Sequence, residues 1–229
     1  MSIVYIVSAP SGSGKSTLVN ELFKMVRHLD FSISYTTRPP RGSEQNGKEY
    51  FFVSREEFKA MIAADEFLEY AEVFGNYYGT ANRFLREADA RGNDLLLDID
   101  VQGASKIKEK IPEAVSIFIL PPDRDKLEWR LRNRGLDSEA VIRRRLDTAR
   151  REIENYSKYD YILVNNVLEK SADQLKDIVL SERAQRSGVE LSGEEKRRVA
   201  TAQACRLEQT RERVQPILAS FNPQGIKGT

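Results

Sequence analysis

Ala9-Pro10-Ser11-Gly12-Ser13-Gly14-Lys15-Ser16, with Thr17 after it, is the stretch of this chain richest in groups that do chemistry. Gly12 and Gly14 let the backbone turn sharply and bring its N–H groups against phosphate oxygens. Lys15 supplies a compact positive charge for β- and γ-phosphates, and Ser16 supplies a hydroxyl oxygen for magnesium. The apolar run Ile3–Ser8 before the loop reads as a buried strand. After it, Leu18, Val19, Leu22, Phe23 and Val26 are spaced as one apolar helix stripe. A phosphate loop requires this strand–loop–helix context, in which the helix N-terminus adds the positive end of its dipole. The strict pattern opens on glycine where this chain has Ala9, a change that a negative φ accommodates. A glycine-rich turn that merely caps a helix is the alternative, and the flanking elements argue against it. The chain is expected to bind a nucleoside triphosphate with magnesium.

Phosphoryl transfer also needs an aligned acceptor. A hydroxyl acceptor is helped by a base, whereas a phosphate monoester is already an anion near neutral pH. The single histidine, His28, falls near the end of the first helix and reads as a surface residue. Thr37-Arg38-Pro39-Pro40-Arg41-Gly42 puts two guanidinium forks on a stiffened segment, which suits phosphate oxygens; an exposed basic turn is the alternative. Tyr50 and Tyr78 are candidate phenolic donors, or members of an aromatic core with Phe51, Phe52 and Phe74. Asp98 and Asp100 lie two apart at a strand end and can share a face. Asp100 is equally placed to cap a helix starting near Gln102, and Glu69 taken alone reads as a surface acid. Residues 123–151 carry nine Arg and one Lys against six acids. The plain reading of this pattern is a solvated helix face of i,i+4 ion pairs.

The elements that must position these groups alternate. Strands are expected at Ile3–Ser8, Leu95–Ile99, Val115–Leu120 and Tyr161–Val164, with a weaker one at Phe31–Tyr35. Helices are expected after Lys15, at Gln102–Lys110, after Pro122, from Ser138 to Tyr156, and from an N-cap at Ser171. Strands apolar on both faces between helices imply an α/β domain with a mainly parallel sheet. Residues 50–84 hold ten of the chain's twenty aromatics, so the insertion there is a packed module. The tail from Glu182 has nine basic and six acidic residues; it reads as continued helix, a second helix at Glu194–Leu218 and a disordered end. With 36 Lys+Arg against 35 Asp+Glu over 229 residues, there is no basic excess of the kind that bulk nucleic-acid binding uses. Cys205 is the lone cysteine and His28 the lone histidine, which argues against a disulfide framework and structural zinc. No apolar run is long enough to span a membrane and no signal peptide is evident, so a reducing cytoplasm is expected.

Taken together, the APSGSGKST loop, SYTTRPPRGSEQNGKEYFFVS at 34–54, FLEYAEVFGNYYGT at 67–80 and LLLDIDVQG at 95–103 resemble guanylate kinases, in that family's order and spacing. The loop is shared widely, whereas the second and third stretches are peculiar to this family. The resemblance implies a P-loop α/β fold over 1–182, with core segments 1–33, 85–122 and 156–182, a mixed GMP-binding insertion at 34–84, a helical lid at 123–155 and a helical extension at 183–229. It implies transfer of the γ-phosphoryl of ATP to GMP, with dGMP as a further acceptor. Arg38, Arg41, Tyr50 and Tyr78 would hold the GMP phosphate, with Glu44 near phosphate and metal. Ser34, Glu69, Thr80 and Asp100 would read guanine. Asp98 would hold magnesium through water. Arg134 and Arg145 would reach the ATP phosphates from the lid, and Asn165 would face adenine. Relatives often carry Asp where this chain has Asn166. An inactive guanylate-kinase-like binding module, or another nucleoside monophosphate kinase, is the competing reading.

Overall fold

A computed structural model describes residues 2–73, 75–133, 135 and 138–222. In chain order the elements are β1 (Val4–Ser8), α1 (Lys15–Met25), β2 (Leu29–Ser32), β3 (Tyr35–Thr36), β4 (Phe51–Phe52), α2 (Arg55–Ala63), β5 (Phe67–Val73), β6 (Asn76–Ala81) and α3 (Asn82–Arg91). They continue with β7 (Asp94–Asp98), α4 (Val101–Lys110), β8 (Val115–Leu120), α5 (Arg124–Asn133), α6 (Glu139–Ile153), β9 (Tyr161–Val164), α7 (Leu168–Ser187), α8 (Gly193–Gln203) and α9 (Leu207–Phe221). Two compact units result: residues up to Val7 with His28–Val115, and Ser8–Arg27 with the residues from Ser116 onward.

In the first unit, β7 pairs in parallel with both β1 and β2. Leu95, Leu96 and Leu97 are wholly buried, as a strand covered on both faces must be. A second sheet has the order β4-β3-β6-β5 and is mixed: β3 runs parallel to β4 and antiparallel to β6, which runs antiparallel to β5. This is the aromatic-rich insertion. Its core is Phe58 of α2, stacked on Phe67 at 4.5 Å and on Tyr77 at 5.3 Å between ring centroids. Ser54 starts α2 with a reciprocal cap, its hydroxyl accepting from Glu57 N while the Glu57 carboxylate accepts from Ser54 N.

In the second unit, β8 and β9 pair in parallel, and both are apolar throughout apart from Ser116. α5 and α6 carry the arginine-rich stretch. Ile142, Leu146, Ala149 and Ile153 form the buried stripe of α6, and Arg143 and Arg144 face solvent. Among the described residues, no helix is long and apolar enough to cross a membrane.

Several expectations need correction. Ser171 does not cap the fifth helix: α7 begins at Leu168, and Ser171 lies buried inside it, its hydroxyl donating to the Val164 carbonyl. The helix expected to reach Tyr156 stops at Ile153 and gives way to a 3-10 turn at Tyr156–Lys158. The strand expected at Phe31–Tyr35 is two strands, β2 and β3, which belong to different sheets. The single tail helix at Glu194–Leu218 is two, because the backbone at Cys205–Leu207 leaves the helical path to bond with the edge of β9. The expected disordered end, residues 223–229, lies outside the described residues.

Phe58→Ala should lower unfolding stability by about 3–5 kcal/mol, since it removes a fully buried ring from a stack of three. Urea denaturation checks this, and an unchanged midpoint would show that the insertion has no packed core of its own.

Candidate active site

The first unit carries a cationic corner. Arg38 is 6% exposed. Its Nη2 donates to Glu44 Oε1 at 3.0 Å, Nη1 lies 3.0 Å from Glu44 Oε2, and Nη1 also donates to the Pro39 carbonyl at 2.7 Å. The guanidinium sits over the Tyr50 ring, 5.4 Å from its centroid, and interacts with Tyr78, whose ring meets Tyr50 edge-on at 6.0 Å. Burial pulls the Arg38 guanidinium down, but the hydrogen bond and charge of Glu44 more than offset this and leave it raised. The Arg38 hydrogen bond in turn holds the Glu44 carboxyl below its ordinary value. Arg41 is exposed, and its backbone N–H donates to Glu44 Oε2 at 2.7 Å. Sequence reading brings Arg38, Arg41, Tyr50 and Tyr78 toward one ligand; it misses Glu44 as the carboxylate that fixes the Arg38 fork.

An acidic corner lies on the same sheet. Tyr78 and Thr80 are two apart on β6, so their side chains share a face. Thr80 is opposite Glu69 of β5, and its hydroxyl donates to Glu69 Oε1 at 2.8 Å. Glu69 is 7% exposed, not the surface acid its sequence context allows. Burial pushes its carboxyl above the ordinary 4.5; Thr80 opposes the rise, the charge of Asp100 adds to it, and Lys106 opposes it. Asp100 caps α4, its Oδ1 accepting from Gln102 N at 3.0 Å and Gly103 N at 2.8 Å, while the residue stays exposed. The approach of α4 at Gly103 is close: a Cβ there would lie 3.1 Å from Glu69 Oε2, so a side chain would press on that carboxylate. Ser34 precedes β3, and its carbonyl accepts from Phe51 N at 2.9 Å. Asp98 ends β7, half-buried.

The second unit carries the glycine-rich loop. Gly14, at φ 87°, is the left-handed N-cap of α1, and no side chain caps that helix start. Ala9 is not among the residues with positive φ. Ser13 is buried; its carbonyl accepts from Asn165 Nδ2 at 2.7 Å and from Arg130 Nη1 at 3.2 Å, while its hydroxyl oxygen has no hydrogen-bond partner. Arg130 Nη2 also donates to the Asn165 carbonyl at 2.8 Å. Burial holds the Arg130 guanidinium below arginine's usual value, with the charge of Asp123 opposing. A cavity of about 380 Å³ opens here between Gly12, Gly14 and Thr17 on one side and Trp129, Arg130 and Asn165 on the other, with Asn166 at its rim. Trp129, 55% exposed, offers an aromatic face.

Asn165 thus lines the cavity, yet its amide nitrogen is engaged with the loop. Arg130 and Trp129 escape sequence reading because one is a single arginine among nine and the other a lone surface aromatic. Of Arg143, Arg144 and Arg145, only Arg145 is partly buried. Arg134 lies outside the described residues. Among the described residues, no group of three or more His, Cys, Asp or Glu side chains could hold a metal ion by itself.

Known proteins resemble this chain over most of its length. The guanylate kinase family model matches residues 1–182. A guanylate kinase of Koribacter versatilis is 60% identical over 221 residues, covering 95% of each chain. One of Neisseria gonorrhoeae is 52% identical over 184 residues, covering 80% of this chain and 90% of the relative. Among solved structures, the guanylate kinase of Anaplasma phagocytophilum matches with a TM-score of 0.66 and 37% identity, covering 79% of this chain and 86% of that one.

The native state holds the Glu69 proton to higher pH than the unfolded chain does. This group's contribution to stability is therefore most favourable below 4.5 and declines as pH rises through the folded value. Glu69→Gln should gain stability relative to the parent between about pH 4 and pH 7; a pH-independent difference in denaturation midpoint would contradict this. Gly14→Ala should strain the left-handed backbone and drive a Cβ into Asn165 Nδ2. Calorimetric titration with an ATP mimic should show affinity lowered by about tenfold or more, a modest cost for one displaced loop contact.

Proposed function

The chain belongs to the guanylate kinase family, and from that membership we propose how its residues divide the transfer of the γ-phosphoryl group of ATP to GMP. The observation that carries this reading is the acceptor pocket of the first unit: a cationic corner at Arg38 and an acidic corner at Glu69 joined by one strand face, Tyr78 to Thr80. A nucleoside monophosphate has that same polarity, a phosphate at one end and a base at the other.

Arg38, Arg41, Tyr50 and Tyr78 bind the GMP phosphate, and Glu44 keeps the Arg38 fork aimed. Glu69 and Asp100 accept from the N1–H and 2-amino donors of guanine and Ser34 serves its acceptors, while Thr80, whose one hydroxyl proton goes to Glu69, takes part by aiming that carboxylate. Adenine has an acceptor at N1 and no 2-amino group, so it leaves Glu69, only partly met by Thr80, with unmet acceptor capacity in a buried site. A mismatch of this kind supports discrimination on the order of 10³ or more.

In the second unit, the backbone from Ala9 to Gly14, Lys15 and the open N-terminus of α1 cradle the ATP phosphates, Thr17 completing the loop's sequel. The unpartnered Ser13 hydroxyl supports a ligand at this loop. Trp129 and Arg130 border the space for the adenosine end, beside Asn165. Arg134 and Arg145 meet charge on the transferring group. The hydroxyl of Ser16 and, through water, the carboxylate of Asp98 are each hard oxygen donors of the kind Mg²⁺ takes, and either would leave most of the ion's shell to phosphates and water. When bound, Mg²⁺ would supply charge neutralisation to the triphosphate. The acceptor phosphate is the nucleophile, so no side-chain base is required. The work is positioning and electrostatic stabilisation, with water kept from the γ-phosphate as the acceptor and lid segments close.

Residues 1–182 form the catalytic body, with 34–84 as acceptor module and 123–155 as lid. The chain works in the cytoplasm on small-molecule substrates, without nucleic acid or membrane, in purine nucleotide metabolism and GMP recycling. The buried, unpaired Cys205 is compatible with a reducing compartment.

A coupled assay of ATP with GMP, dGMP, AMP, CMP and UMP tests this. GMP and dGMP should turn over, with AMP slower by on the order of 10³ or more. Lys15→Ala and Arg38→Ala should each lose about 10³-fold in turnover with the unfolding midpoint retained. Undiminished turnover in either variant would overturn the assignment of roles.

A further inference from the structure

The segment beyond the family match, α8 and α9, is built into the second unit. Val214, Ile217 and Phe221 of α9 and Cys205 before it are buried. The tail contacts both elements that steady the glycine-rich loop. The first is β9: the Ile162 N–H donates to the Cys205 carbonyl at 2.7 Å, and the Leu207 N–H donates to the Asp160 carbonyl at 3.2 Å. Beside these bonds, the Arg206 guanidinium lies 4.1 Å from the Tyr161 ring centroid and donates to Glu182 Oε1 at 2.8 Å, the oxygen that also accepts from the Tyr161 hydroxyl. The strand so held runs directly into Asn165, one of the two donors to the Ser13 carbonyl.

The second is α5. Its first residue, Arg124, donates its backbone N–H to Ser220 Oγ of α9 at 3.0 Å, while Asp123 Oδ1 accepts from Lys126 N at 2.6 Å. The helix start is thus capped jointly by its own preceding residue and by the tail. Six residues on, α5 presents Arg130, the other donor to Ser13. The tail therefore grips, from outside the nucleotide cavity, the two elements whose side chains converge on one loop carbonyl.

We propose that α8 and α9 are a brace for the donor-nucleotide half of the enzyme, with Ser220 and Arg206 as positioning residues for Arg130 and Asn165. This rests on the reading that the loop of the second unit takes ATP. Neither residue touches substrate. Their loss lets α5 and β9 shift, loosens both bonds to Ser13 and weakens the phosphate cradle. The acceptor pocket draws its residues from the first unit and is untouched.

The test uses the full-length enzyme and compares Ser220→Ala, Ser220→Thr and the double variant Ser220→Ala/Arg206→Ala. Steady-state kinetics should show KM for ATP raised about three- to tenfold in Ser220→Ala, the scale of one lost helix cap, and further in the double variant. KM for GMP should stay within about twofold, a change below the size of one hydrogen bond. Ser220→Thr, which keeps the hydroxyl, should restore the parent value. Titration with an ATP mimic should show the same loss of affinity, and amide exchange in residues 11–17 should quicken. Unchanged KM for ATP in Ser220→Ala, or KM for ATP and GMP rising together, overturns the brace, and Ser220→Ala decides the matter if the double variant fails to fold. If the parent enzyme itself shows no saturable ATP-mimic binding, the donor-site reading falls instead, an outcome visible before any variant is made.

Discussion

A carboxylate taken out of water needs partners, and Glu69 is set among groups that only partly meet that need. Thr80 donates one hydrogen bond, Asp100 stands near as a like charge, and the α4 backbone closes in at Gly103. The result is a buried acid that keeps acceptor capacity and gains free energy when a donor edge arrives. Nearly everything in the first unit follows from keeping that acid where it is. The β5–β6 pairing sets Thr80 opposite it, the Phe58 stack anchors both strands, and Asp100 ends the strand-to-helix turn that brings Gly103 alongside.

The cationic corner solves the opposite problem. A guanidinium waiting for a phosphate should be held without being satisfied. Glu44, Pro39 and the ring of Tyr50 hold Arg38 through defined atoms, so little rotamer entropy remains to be lost on binding. With Tyr78 and Thr80 on one face of β6, a single strand sets the spacing between the cationic and acidic corners.

The donor half depends on a single backbone oxygen. Ser13 lies inside the glycine-rich loop, where a left-handed Gly14 leaves little local restraint, and its carbonyl is tied down by Asn165 and Arg130 from segments far along the chain. A loop whose N–H groups must point outward is steadied by bonds to the carbonyls that point inward. The C-terminal helices reach the same two segments, which gives the tail a physical connection to the glycine-rich loop without touching it.

Much of this was legible in the residues themselves. The glycine-rich loop was readable because strand, turn and helix signals are contiguous, and the α/β alternation because buried parallel strands are apolar on both faces. The Arg38–Arg41 segment stood out because prolines and arginines so close together serve few purposes. Burial of Glu69 was not legible, since one acid on an alternating strand looks the same whether it faces water or a neighbouring helix. Nor was Arg130 distinguishable from other arginines of its helix, because periodicity says which face turns inward but not which carbonyl waits there. The break at Cys205–Leu207 was equally hidden: local propensity favours continued helix, and only the unpaired edge of β9 supplies the backbone partners that make leaving it worthwhile. Local signals thus determined the elements and the kind of chemistry, whereas the partners of each charged group were decided by tertiary structure, because they come from residues tens of positions away that only folding brings within hydrogen-bond reach.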